Sequence, residues 1–196
     1  MDSWTTQLNF IIQASKQNLP FTFKFVAIFW CIHLINVLMR NRLSIAGIFP
    51  RHPFGLTGII CAPFLHANWG HLFFNTVPLF ILANLVLIYG RVEFYQVTAI
   101  IIVLGGLATW VLGRKAIHLG ASGLIMGYWG FLLLQSYYHP SILAVFVGVI
   151  CLYYLGGLFL SLFPSGKGVS WESHVFGFLA GMVAVQLVTL PAFQNI

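Results

Sequence analysis

The sequence predicts an all-α membrane protein with six transmembrane helices. Of its 196 residues, 60% are hydrophobic and only 6% are charged, whereas a soluble domain carries roughly 25% charged residues. So few charges cannot cover a water-soluble surface. The apolar residues also gather in stretches close to the length that a helix needs to cross the hydrocarbon, about 20 residues. Composition therefore leaves essentially no room for a domain outside the membrane.

Six apolar stretches follow one another along the chain, separated by turn-forming clusters of Gly, Pro, Asn and charged residues. The predicted spans are 22–39, 70–89, 93–112, 121–138, 141–163 and 172–191. Together they define a six-helix membrane domain over residues 22–191. Before it, apolar residues recur at helical spacing from Trp4 to Ile12. This pattern predicts an N-terminal amphipathic segment, residues 1–21, lying on the membrane surface.

The connection between the first two spans, residues 41–69, is unlike the others. It is rich in Gly and Pro, which excludes a spanning helix, yet pairs such as Ile59-Ile60 are too apolar for open water. We expect an irregular first loop, partly buried at the membrane interface or against the helices.

Charge and cysteine content exclude several functions. The nine Lys and Arg residues occur singly or in pairs, without the basic run that would follow a nucleic-acid backbone. They are interpreted as lipid headgroup contacts. The three cysteines form neither a CxxC pair nor a zinc-ligand spacing, so we expect no disulfide, no metal and no nucleic acid.

With six spans, the second, fourth and sixth all begin on one side of the membrane. Four polar side chains lie in their first turns: His71, Asn75, Ser122 and His174. Ser122 lies between Gly120 and Gly123, and Gly123/Gly127 and Gly177/Gly181 have the spacing at which membrane helices approach closely. If these two faces pack together, Ser122 Oγ and the ring of His174 come within hydrogen-bond reach.

This set of side chains is suited to acyl transfer. A histidine can take the proton from a serine hydroxyl and make it a nucleophile. Attack on a carbonyl then creates an oxyanion, which needs positioned donors. Asn75, His71 and the backbone N–H of Ser122 are the candidate donors. Each residue taken alone has a simpler explanation, since a Gly-x-Ser-Gly in a membrane helix is mostly packing and a His or Asn at a span end is often a cap.

The remaining polar residues have structural interpretations. His66 is a candidate tie between the first loop and the helix ends, or a simple loop hydrogen bond. His33, Asn36 and Asn84 are expected to make interhelical hydrogen bonds. His118 and His139 are loop residues with no evident partner.

Three motifs resemble the signatures of rhomboid intramembrane serine proteases: His66-x4-His71-x3-Asn75, Gly120-Ala-Ser122-Gly123 and His174-x2-Gly177-x3-Gly181. Their order, spacing and placement on spans two, four and six match, and the resemblance covers roughly residues 60–185. It implies the basic six-helix rhomboid bundle with the first loop partly in the membrane. The implied activity is a serine endopeptidase that needs no cofactor and cleaves transmembrane helices of membrane-protein substrates near their ends.

Carried over by position, Ser122 resembles the nucleophile and His174 its general base. His71, Asn75 and the Ser122 N–H resemble the oxyanion hole, with His66 and the four motif glycines as support. Glu172 is expected in the loop before His174. At two places the sequence departs from the family. Met126 replaces an aromatic residue that often stacks on the histidine, and Thr57-Gly58 replaces a Trp-Arg pair in the first loop.

Two criteria disagree on the orientation of the protein in the membrane. The resemblance implies a multi-pass protein of the inner cell membrane with a cytoplasmic N-terminus. That places three basic residues inside (Lys16, Lys24, Arg91) and six outside (Arg40, Arg42, Arg51, Arg114, Lys115, Lys167). Basic residues normally favour the cytoplasmic side, so the count predicts the reverse; we give precedence to the resemblance.

Two other functions remain open. A non-catalytic rhomboid-like protein would bind membrane clients, but such relatives typically lack the serine or the histidine, and this chain has both. A small transporter using His33, His71, Asn75 and His174 would need polar groups at several depths along a path, whereas here they cluster near one face. The sequence does not indicate the oligomeric state.

Overall fold

The computed structural model describes residues 3–138, 140–142, 145, 149 and 170–188. In this part of the chain the secondary structure is helical, apart from one isolated antiparallel bridge between Ile48 and His118. The helices are α1 (Ser3–Leu38), α2 (Gly58–Cys61), α3 (Trp69–Leu87), α4 (Arg91–Ile100), α5 (Gly106–Leu112), α6 (Ser122–Tyr138) and α7 (Trp171–Leu187). The prediction of an all-α membrane bundle is confirmed.

Three helical segments among the described residues are long and apolar enough to cross a membrane: Trp4–Leu38, Trp69–Leu87 and Arg91–Leu112. The third contains α4 and α5, joined by a π-helical stretch over Ile101–Gly105. The helices α6 and α7 have 17 residues each, near the lower end of the range for a span. The predicted fifth span, residues 141–163, lies almost wholly outside the described residues.

The N-terminal part of the chain is continuous with the first span. A single helix runs over Ser3–Leu38 with Pro20 inside it, so no helix end occurs at the boundary expected after residue 21. Proline removes a helix hydrogen bond and weakens the turn before it. The Asn84 side chain donates to the Ser15 carbonyl and to Thr22 Oγ1, each at 3.2 Å, which fixes this weakened region of α1 against α3.

The helix α6 is at the centre of the bundle. From Leu124 to Leu132 every residue is buried, as expected for a helix with packed neighbours on all sides. Its most extensive contact is with α7, and it also packs against α3 and the π-helical stretch. The two helices that carry Ser122 and His174 are thus direct neighbours.

The first loop, residues 41–69, consists of short helical turns. It contacts the end of the bundle that contains Ser122 and His174. Arg51 Nη1 donates to the Val111 carbonyl at 2.8 Å, and the Trp110 indole donates to the His52 carbonyl at 3.0 Å. At the position of the family's Trp-Arg pair, Thr57 bonds only locally, to the Phe54 carbonyl at 2.8 Å. Arg51 and Trp110 therefore anchor this loop on the C-terminal end of α5, an arrangement that the motif comparison did not predict.

Candidate active site

The centre of the site is a hydrogen bond between α6 and α7. Ser122 Oγ and His174 Nε2 are 2.8 Å apart, and both residues are buried, at 8% and 6% exposure. Ser122 is the first residue of α6 and His174 lies in the first turn of α7. Since the serine hydroxyl can donate only to an unprotonated nitrogen, this contact suits a histidine that carries its proton on Nδ1.

Glycines allow the two helices to come this close. A Cβ at Gly177 would overlap the carbonyl oxygen of Gly123, and one at Gly181 would overlap that of Gly127. The faces expected from the glycine spacing are therefore the faces that pack. Gly123 itself lies near Ser173, whose carbonyl oxygen would be 3.1 Å from an added Cβ.

Gly120 is required for two reasons. Its φ is +123°, a backbone region that residues other than glycine rarely adopt. A Cβ there would also be 2.6 Å from Cε1 of His71. The ring of His71 thus lies directly against the backbone that leads into Ser122.

Asn75 lies one turn after His71 on α3 and is buried at 7% exposure. Its Nδ2 has no hydrogen-bond partner among the described residues. A buried donor without an acceptor is uncommon in folded proteins. It is therefore available for an acceptor that arrives with a substrate.

Asn68 was not singled out in the sequence. It caps α3 by accepting the His71 N–H at 2.8 Å. Its position before an apolar helix is the ordinary signal of an N-cap.

His66 connects the first loop to the residues before the nucleophile. Its Nε2 accepts the Ala121 N–H at 3.4 Å, and its ring is 5.2 Å from that of His71 and 6.3 Å from that of His33, centroid to centroid. Burial lowers the pKa of His66 to about 3, with smaller lowering effects from the nearby His71 and His33. The ring is thus a neutral acceptor at physiological pH.

Met126 lies four residues after Ser122 and is fully buried in the apolar core. A cavity of about 40 Å³ borders Ser122, Gly120 and Gly123 on the side of the π-helical stretch. Small residues such as Gly105 and Gly106 contribute to its wall.

One expectation about a neighbouring residue was wrong, and one residue has a partner that the sequence did not indicate. Glu172 was expected in a loop, but it lies in the first turn of α7, is buried, and pairs with Arg114, with 3.3 Å between Nε and Oε1. The helix begins at Trp171, one residue before the predicted span, and the Ser170 side chain that precedes it makes no capping hydrogen bond. His118 had no evident partner in the sequence, but its Nδ1 shares a short hydrogen bond with Ser170 Oγ. His139 lies outside the described residues.

The comparisons with known proteins agree with this architecture. The family model of the Rhomboid domain matches residues 53–190. An uncharacterized protein of Mycobacterium tuberculosis is 41% identical over 176 residues, which cover 85% of this chain and 73% of the relative. An uncharacterized protein of Mycobacterium leprae is 38% identical over 176 residues, 85% of this chain and 70% of the relative.

A relative that carries the family name is more distant. The putative rhomboid protein of Acanthamoeba polyphaga mimivirus is 29% identical over 135 residues, covering 65% of this chain and 72% of the relative. The fold defines a helical, multi-span membrane protein with polar side chains gathered at one end of the bundle. The chain belongs to the rhomboid family.

Proposed function

We propose that the protein is an intramembrane serine endopeptidase that cleaves transmembrane segments of membrane-protein substrates with a Ser122–His174 dyad. The observation that carries this proposal is the 2.8 Å contact between Ser122 Oγ and His174 Nε2 at a buried helix junction. Structural packing needs only small residues at this junction. A hydroxyl that faces an unprotonated imidazole nitrogen also has the arrangement of an activated nucleophile.

In this mechanism His174 Nε2 takes the proton from Ser122 as Oγ attacks the carbonyl carbon of the scissile peptide. The Asn75 side chain, the ring of His71 and the N–H of Ser122 donate to the resulting oxyanion. His174 then gives the proton to the leaving amine, and the C–N bond breaks. Water, activated by the same histidine, hydrolyses the ester on Ser122 and restores the hydroxyl.

The substrate must unwind near the site, because a peptide bond inside a helix is shielded by the hydrogen bonds of its own backbone. We therefore propose substrates whose membrane helix contains small or helix-breaking residues close to the end at which Ser122 lies. The cavity beside Ser122 gives the nucleophile space on one side.

The direct test is a cleavage assay with purified protein in detergent and in liposomes, using labelled single-span substrates. We expect Ser122→Ala to remove cleavage, because the variant lacks the Oγ atom that contacts His174 Nε2. The matched control is Ser136→Ala, which changes a serine on the same helix whose Oγ has no partner among the described residues; it should cleave like the wild type. Equal cleavage by wild type and Ser122→Ala would contradict the assignment of the nucleophile.

Labelling with a fluorophosphonate probe distinguishes the proposed protease from the non-catalytic alternative. If the folded wild-type protein neither cleaves nor labels at Ser122, the non-catalytic, client-binding function is favoured.

We further propose a cytoplasmic N-terminus, with the site at the opposite face of the inner membrane. In the structure α1 runs toward the end at which α3, α6 and α7 begin, so the chain starts at the end away from Ser122. A cysteine introduced at residue 116, in the loop before Ser122, should react with an impermeant thiol reagent only from outside the cell. Labelling from the cytoplasmic side alone would reverse this orientation.

A further inference from the structure

A second polar cluster lies beside the site and is not used by the proposed mechanism. It is formed by residues 113–121, the segment that joins α5 to α6, which we call the strap. The strap leads directly into Ser122 at its C-terminal end. Nearer its start, Arg114 contacts the first turn of α7, the turn that contains His174, and His118 contacts Ser170, the residue before that turn.

The first contact is an ion pair between Arg114 and Glu172. Arg114 Nε is 3.3 Å from Glu172 Oε1, and the Arg114 backbone N–H donates to the same oxygen at 3.4 Å. The Glu172 side chain is only 5% exposed, whereas that of Arg114 is 43% exposed. Burial of a carboxylate is unfavourable unless it is paired and hydrogen-bonded, so the position of Glu172 depends on the strap.

The second contact is made by His118, which is 2% exposed. Its Nδ1 shares a hydrogen bond with Ser170 Oγ, and that hydroxyl is 2.8 Å from Ser173 Oγ. Its Nε2 is 3.0 Å from the Arg114 carbonyl oxygen. The strap therefore contacts Glu172 in α7 and Ser170, the residue before α7, and the Ser170 hydroxyl in turn bonds to Ser173, the residue before His174.

The backbone of the strap is itself held by the first loop. Ile48 and His118 exchange two hydrogen bonds, at 2.8 and 2.9 Å, and the Gly120 N–H donates to the Ala62 carbonyl at 2.9 Å. The first loop thus fixes the C-terminal half of the strap, the part that leads into Ser122. The position of the strap determines where α6 begins and where the first turn of α7 lies.

We propose that the strap positions His174 against Ser122, with Glu172 as the positioning residue that transmits its placement to α7. This inference rests on the proposed protease function. The strap leads into Ser122, the proposed nucleophile, and contacts the turn that contains His174, the proposed general base. It therefore sets the distance between these two residues. That distance matters, because a misplacement of roughly 1 Å in a catalytic arrangement can cost about 100-fold in rate.

The test is a graded substitution of Glu172 with kcat and KM measured on a cleaved substrate. Glu172→Ala removes both contacts with Arg114 and should lower kcat by about 10- to 100-fold with little change in KM. Glu172→Gln keeps the shape of the side chain and one acceptor oxygen, so its kcat should lie between that of Glu172→Ala and that of the wild type. The matched control is Glu93→Ala, which removes the acidic residue from the first turn of α4 and should leave kcat unchanged.

Arg114→Ala removes the same ion pair by changing its more exposed partner, so this variant should disturb folding less than Glu172→Ala. If Arg114 acts through Glu172, the double variant Arg114→Ala/Glu172→Ala should lose no more rate than Glu172→Ala alone. The rate of fluorophosphonate labelling at Ser122 should fall in parallel, since it reports the Ser122–His174 pair without a substrate.

The outcomes separate this inference from the proposed function. Wild-type kcat in folded Arg114→Ala, or independent and additive losses in the two single variants, would overturn the strap inference while leaving a Ser122-dependent protease. Absence of cleavage and labelling in the folded wild-type protein would instead remove the proposed function and, with it, the inference.

Discussion

At the scale of single residues, the site depends on where each side chain stands in its helix. Ser122 and His174 each lie in the first turn of a helix, so their polar atoms meet at one end of the bundle while the rest of both helices packs. Asn75 is buried, and its Nδ2 has no hydrogen-bond partner in the described part of the chain. Such a donor is costly to keep, and this cost is accounted for if the group acts on an oxyanion.

Replacement of Asn75 tests that role. We expect Asn75→Ala to lower kcat by about 100- to 1,000-fold, the effect of removing one oxyanion donor, with a smaller effect on KM because the donor acts mainly in the transition state. Steady-state cleavage of one substrate at several concentrations gives both constants.

The control for this variant is Asn84→Ala on the same helix. Asn84 bonds to Ser15 and Thr22 of α1, so its loss should lower thermal stability and leave kcat near the wild-type value. If the two variants lose kcat equally, Asn75 acts through the fold and not on the reaction.

At the scale of elements, the junction between α6 and α7 holds the two proposed catalytic residues together. Its contact is made by backbone atoms at Gly123, Gly127, Gly177 and Gly181. In a membrane, where water does not drive helices together, such close packing supplies much of the association energy.

Gly181→Ala should separate these helices. The new Cβ would overlap the Gly127 carbonyl oxygen, a backbone atom that cannot rotate away, and overpacking of this kind costs about 1–3 kcal/mol. We expect a lower Tm in detergent together with reduced cleavage.

Gly105→Ala is the matched control for this steric argument. A Cβ at Gly105 would be 3.2 Å from Gly177 Cα, a tight contact that small shifts relieve, so the Tm should change less. Equal losses of Tm in the two variants would contradict the steric explanation.

At the scale of the whole molecule, the polar end of the bundle is assembled from distant parts of the chain. The first loop is anchored on α5, the strap binds α7, and His66 lies among rings from α1 and α3 while it accepts the Ala121 N–H. Changes in the charge of His66 should therefore affect the stability of the assembly.

The pKa of His66 is about 3 in the folded protein, against about 6.5 in an unfolded chain. Below pH 6.5 the unfolded chain binds a proton that the folded protein does not, so the free energy of unfolding should fall as the pH is lowered from about 6.5 toward 3. Thermal unfolding in detergent between pH 7.5 and 4.5 measures this slope.

His66→Gln should reduce the slope, because its amide keeps an acceptor and does not titrate. The other titratable groups that face His66 are His71 and His33. An unchanged slope would show that His66 does not titrate as proposed.

Much of this arrangement could be predicted from particular residues. The apolar stretches predicted the spans that the described residues include, and their alternating direction placed Ser122 and His174 at one end. Glycine spacing indicated the packed faces of α6 and α7. The roles of Arg51, Trp110, Glu172 and His118 could not be predicted, because each depends on a partner between 52 and 60 residues away whose proximity is set by helix packing.

The sequence by itself thus determined the class of the protein, the approximate positions of its described spans after the first, and the residue types at its polar end. These follow from local properties: hydropathy, helix period, and the backbone freedom of glycine. The tertiary structure alone decided which polar groups are partners. A hydrogen bond such as that between Ser122 and His174 requires two atoms to come within about 3 Å, and only the packed bundle fixes distances across elements to that precision.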